Sequence, residues 1–212
     1  MVKAGTFSEL VFAHVRSNIV TYSLLFAVFL TGICFGAVYA SILREGSAEV
    51  FEYLETGLLS LRRTLPEDHT PAVSNSLAAN LNAAAIIWAL GVTVVGLPGI
   101  FVVLFVRGFS AGFTVAFMVR EMAAPGVAAA LASVLPHNVL AVPALLIVAA
   151  ASSAFSWSVV KKRLLAMEAD PGVAFAKSAF AAGAAALLLV LASFVQVYVS
   201  PALLVMAARF AS

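Results

Sequence analysis

Apolar residues run along this chain in blocks too long for a soluble core, and scattered polar positions mark where the blocks end. A bilayer core is crossed by a helix of about 20 apolar residues. On that measure crossings are expected at about 19–43, 77–106, 108–122, 138–160 and 178–199. The second contains Gly96-Leu97-Pro98-Gly99, which reads as a kink, because proline removes a backbone donor. Between Glu121 and Lys161 there is no Asp, Glu, Lys or Arg, and the run is too long for one crossing. Pro136-His137-Asn138 and Pro143 interrupt it. Irregular backbone at membrane depth needs protein or water to satisfy its polar groups. The pattern therefore predicts a short re-entrant or interfacial helix over 125–136, then a crossing that starts at a proline break.

Residues 44–76 form the one sizeable polar stretch. Val50, Leu54, Leu58, Leu61 and Leu65 step by three and four, which predicts an amphipathic helix ending before Pro66. Glu45, Glu49, Glu52 and Glu55 fall mostly on its other faces, and Glu67 and Asp68 follow in a loop. The six acids are a solvated face or a docking surface for a partner. Phe7, Leu10, Val11 and Val15 also recur at helical spacing, which suggests a helix at the membrane surface before the first crossing.

Composition agrees with this pattern. The chain of 212 residues is 63% hydrophobic and 10% charged, with mean hydropathy +1.08, whereas soluble domains carry about 25% charged residues. The fold expected is all-α: a single polytopic membrane domain with five transmembrane helices. The net charge of +2 comes without a basic, aromatic-interleaved cluster, so nucleic acid is not an expected partner. The apolar block after Asn18 exceeds a signal-peptide core of about 7–15 residues, so it is read as an uncleaved helix. Lys161-Lys162-Arg163, with Lys177, Lys3, Arg16 and Arg107, places the N-terminus in the cytoplasm and the C-terminus outside. The acidic segment then lies outside.

Candidate chemistry is sparse. Gly108-Phe109-Ser110-Ala111-Gly112 matches a nucleophile-elbow pattern, but that elbow needs a strand-turn-helix, and here the motif opens an apolar helix. Gly108 and Gly112, like Gly32 and Gly36, are instead read as small residues for close helix packing, within the chain or in a homodimer. His14, His69 and His137 are scattered, and no metal or cofactor motif is present. Cys34, the single cysteine, is read as a buried packing residue. His137 and Asn138 are read as a cap on the fourth crossing or as a polar contact to another subunit. Arg107 is expected to snorkel to the inner interface, or else to meet a carbonyl or a subunit. No carboxylate falls inside a predicted crossing, which counts against an ion-coupled transporter.

Three blocks carry a family resemblance. Gly91 to Val119 (GVTVVGLPGIFVVLFVRGFSAGFTVAFMV), Ser133 to Ala144 (SVLPHNVLAVPA) and Phe29 to Val38 (FLTGICFGAV) resemble the stage II sporulation protein M family, as does the tail from Tyr198 to Ala202. The resemblance implies a non-enzymatic protein of the mother-cell or septal membrane during engulfment. It also implies two peptidoglycan-degrading partners, stage II sporulation proteins D and P, anchored by this chain. Many relatives carry a Glu after a Pro-His-Gly stretch; here the neighbourhood reads Asn138-Val139-Leu140-Ala141, with no acid to carry a proton. The alternative from the residues is a permease-like channel or transporter subunit, suggested by the broken helix and Pro98.

Overall fold

The computed structural model describes residues 16, 18–42, 70–93, 96–163 and 170–210, and among these it is helical with no strand. Helix α1 spans Ile19–Ile42, α2 Thr70–Val92, α3 Leu97–Arg163 and α4 Pro171–Phe194. A π-helical turn, Val195–Val199, joins α4 to α5, Ser200–Phe210. Five helical stretches are long and apolar enough to cross a membrane: Ile19–Ile42, Thr70–Val92, Leu97–Glu121, Gly126–Arg163 and Pro171–Leu204. The protein is an all-α polytopic membrane protein.

The second and third boundaries differ from those expected. Gly96-Leu97-Pro98-Gly99 opens a new crossing at Leu97 and is not a kink inside one. Pro98 falls in the first turn of α3, where its missing N–H has no intrahelical acceptor to lose. The second crossing thus starts at Thr70, taking in the end of the expected polar stretch. The third starts at Leu97 instead of 108.

Helix α3 is two crossings. Met118 packs with Ala129 and Ala130, and Ser133 Oγ lies 3.7 Å from Met118 Sδ. In a straight helix residues 118 and 133 would be about 22 Å apart. The chain therefore doubles back between Glu121 and Gly126, where Pro125 brings no amide donor and Gly126 no Cβ.

The expected break at Pro136 is absent: Gly126–Arg163 is one continuous helix. Its most apolar window is 61% buried, against 28–33% in the other four crossings, so it is the central helix. Pro136 is half-buried, whereas Pro143 is exposed one turn after the exposed Val139, whose carbonyl it releases. Asn138 Nδ2 donates to the Val134 carbonyl (2.8 Å) and Ser133 Oγ to that of Ala129 (2.7 Å). An N-cap residue accepts from the following amides; Asn138 donates backward, so it stands inside the helix and does not start it.

The core is rich in alanine. Ala83, Ala84 and Ile87 of α2, Ile100 and Leu104 of the first limb of α3, Ala141, Ala144 and Val148 of the second, and Ala185 and Leu189 of α4 form one buried cluster with Leu25 of α1. Small side chains let these backbones approach closely, which substitutes for a hydrophobic drive that lipid does not supply.

Gly32 and Gly36 of α1 lie against the backbones of Phe105 and Phe109, while Gly108 and Gly112 lie against Phe29 and Ile33. Phe105, Phe109, Phe113 and Phe117 form a ladder one turn apart on α3. Phe35 meets Phe105 at 5.8 Å between centroids, and Tyr39 meets Phe109 at 5.7 Å. Arg120 Nη1 then donates to the Ala40 carbonyl (3.0 Å). Residue numbers rise together along this contact, so α1 and the first limb of α3 run parallel.

Candidate functional site at membrane depth

Arg107 lies near the midpoint of Leu97–Glu121. At about 1.5 Å per residue it is about 15 Å from Leu97, half of a hydrocarbon core of about 30 Å. It therefore does not snorkel to an interface, as a boundary at residue 106 would have had it. Its Nη2 donates to the Ala79 carbonyl of α2 at 2.5 Å. His137 lies on the second limb of α3. Its Nδ1 is enclosed and makes no well-formed hydrogen bond, with the Ser133 backbone one turn earlier as its near polar neighbour.

A ladder of polar pairs joins α2 to the end of α4. Asn80 Nδ2 donates to Ser193 Oγ (3.0 Å), and Ser193 Oγ donates to the Leu189 carbonyl (2.9 Å). Ser76 Oγ donates to Gln196 Oε1 at 2.7 Å. Gln196 sits in the π-helical turn, whose Ser200 amide donates to the Val195 carbonyl, five residues back. Pro201 follows immediately; in a regular helix its ring would crowd the Val197 carbonyl, and the widened turn relieves that contact. At the other end of α2, Ser156 Oγ donates to the Gly91 carbonyl, and Gly91 itself lies against Ser152.

The sequence candidates divide clearly. Gly32, Gly36, Gly108 and Gly112 meet at the α1–α3 contact, so these glycine faces are occupied within one chain. Arg107 is held by Ala79 of α2, and Asn138 turns back on its own helix. Ser110 is exposed in mid-helix, without the strand-turn-helix that an elbow requires. Cys34 is exposed on α1, since the glycines at 32 and 36, not the cysteine, take the packed face. Glu45, Glu49, Glu52, Glu55, Glu67 and Asp68 lie outside the described residues. Asn80, Ser76, Ser193 and Gln196 were missed as a group. The signal was available in α2, the least apolar of the five crossings because amides and serines interrupt it. A cleft in the α3 hairpin, lined by Val115, Val119, Val127, Ala130, Leu131, Val134 and Leu135, is apolar and offers no chemical group.

Five crossings, glycine-mediated packing and a polar ladder at depth define a multi-pass helical membrane protein. A family model, stage II sporulation protein M, matches residues 25–201. The chain belongs to that family and is a sporulation membrane protein. No curated protein and no solved structure gives a match.

Proposed function

We propose that this chain is a non-enzymatic membrane scaffold of engulfment. It anchors peptidoglycan-degrading partners, of the kind of stage II sporulation proteins D and P, at the septal membrane. The observation that carries the reading is the family match over residues 25–201. The site supports it, because the polar groups at membrane depth hold helices together: Asn80 to Ser193, Ser76 to Gln196, and Arg107 to Ala79. The mechanism is positional. A partner held at the membrane surface acts at a local concentration that its own affinity need not supply. With Lys161-Lys162-Arg163 on the cytoplasmic side, the acids from Glu45 to Asp68 lie outside, on the side of the wall.

The test is crosslinking and co-purification of the full chain from sporulating cells. Wall hydrolases are expected among its neighbours, and Glu45, Glu49, Glu52 and Glu55 changed together to Lys should weaken their capture. Capture that is unchanged by the reversal sinks the role of the acids, and recovery of no wall hydrolase sinks the scaffold. A second reading, a permease-like subunit, is favoured by the π-helical turn at Gln196, since such turns often mark functional positions. Specific solute flux in liposomes holding this chain alone would put that reading first.

A further inference from the structure

The outward face of α2 carries polarity that lipid does not accommodate. Asn75, Ala78, Asn82, Ala85, Ala89 and Val92 are all exposed, and they recur at steps of three and four. That spacing is one face of the helix, and its alanines leave room for the close approach of a second helix. Asn82 lies near the midpoint of Thr70–Val92. Among the described residues its carboxamide has no hydrogen-bond partner.

Arg107 reaches the same face. Ala79, whose carbonyl it holds, is exposed one turn after Asn75 and one turn before Asn82. The guanidinium has five N–H donors and no acceptor, so most of its capacity is left beyond that one carbonyl. Among the described crossings the single carboxylate is Glu121, at the far end of its crossing and 3.7 Å from Arg120. A guanidinium at the bilayer centre is costly unless an anion or a polar cavity meets it.

We propose that the exposed face of α2, with Arg107 beside it, docks a transmembrane helix of another protein that carries Asp or Glu near its midpoint. This rests on the scaffold reading above. The carboxylate takes the free fork of Arg107, and the Asn82 amide donates to it from the other side. A second copy of this chain fits poorly, because it would bring Arg107 to Arg107 with no acid between them. A lipid headgroup fits poorly as well, because phosphates lie about 15 Å from the bilayer centre.

The full-length protein in phosphatidylcholine vesicles, with synthetic Ala/Leu transmembrane peptides bearing a central Glu, Gln or Leu, tests the assignment by energy transfer. The Glu peptide should bind at least about tenfold more tightly than the Leu peptide, with the Gln peptide between them. Arg107→Gln should remove the preference for Glu over Gln; Arg107→Lys, which keeps the charge, should retain part of it. Ala85→Trp changes only an exposed position, so it should abolish docking with thermal stability intact. Equal binding of the three peptides, a Glu preference that survives Arg107→Gln, or docking indifferent to Ala85→Trp overturns the proposal. So does loss of the preference when phosphatidylglycerol replaces phosphatidylcholine, which assigns Arg107 to a headgroup. Self-association that Ala85→Trp abolishes assigns the face to a second copy and also overturns it. Co-purification of wall hydrolases is read separately: if it persists while the peptides show no preference, the docking face fails and the scaffold stands.

Discussion

Gly36 and Gly183 are both helical glycines, and they should answer substitution in opposite directions. A Cβ on Gly36 would run into the Phe109 backbone, which cannot move without shifting all of α3. Gly36→Val should lower the thermal unfolding temperature in detergent, by the about 1–3 kcal/mol typical of overpacking. A Cβ on Gly183 meets nothing, so Gly183→Ala should raise it, by up to about 1 kcal/mol of helix propensity. Asp170 is a third single-residue lever. Its Oδ1 accepts from the Gly172 and Val173 amides, at 2.9 and 3.3 Å, with Pro171 opening α4 behind it. Asp170→Ala should cost about 1 kcal/mol and Asp170→Asn much less, both checked by the same melts. The glycines were legible in the sequence because their spacing is a local property. The placement of Arg107 was not, because its depth depends on where the neighbouring turn falls. A boundary moved by a few turns carries the residue from the interface to the bilayer centre.

At the scale of elements, the α2–α4 ladder is testable as a unit. Removing Asn80 alone leaves Ser193 with its bond to Leu189, so the pair is only partly independent. A double-mutant cycle of Asn80→Ala and Ser193→Ala should give a favourable coupling of about 0.5–1.7 kcal/mol, the range found for polar contacts between membrane helices. Additive single effects would show that the contact contributes no stability. Two elements were misjudged from sequence for one reason: proline has opposite meanings by position. Pro98, expected inside a helix, opens one, where its missing donor is harmless. Pro136, expected to start a helix, lies within one. There the side chains of Ser133 and Asn138 bond back one turn on either side of it. Hydropathy alone cannot separate these cases, because the meaning of a proline depends on its position in the helix.

At the scale of the whole molecule, the charge-free run after Glu121 became the central helix, and its neighbours fix the relative direction of every crossing. Arg107 holds Ala79, Gly91 meets Ser152 and Ser156, and Asn80 meets Ser193, so α2 runs antiparallel to the first limb of α3 and to α4. Alternation from Ile19–Ile42 to Pro171–Leu204 places residues 42, 70 and 121 at one surface and 92, 97, 163 and 170 at the other. That arrangement predicts a labelling pattern in a Cys34→Ser background, which removes the single native thiol. A cysteine at Thr70 or Glu121 should react with an impermeant maleimide from one side of the membrane, and one at Arg163 or Asp170 from the opposite side. The positive-inside rule predicts the absolute sense: Arg163, beside Lys161 and Lys162, is expected in the cytoplasm. In intact cells the cysteines at 70 and 121 should then label and those at 163 and 170 should not until the membrane is opened. Reversal of both groups together would keep the fold and invert the assignment, placing the acids from Glu45 to Asp68 in the cytoplasm, out of reach of any wall enzyme. Labelling of residues 121 and 163 from the same side would instead break the alternation and require a re-entrant second limb. Of these outcomes, only outward labelling of 70 and 121 puts the acidic segment where a scaffold for wall hydrolases can use it.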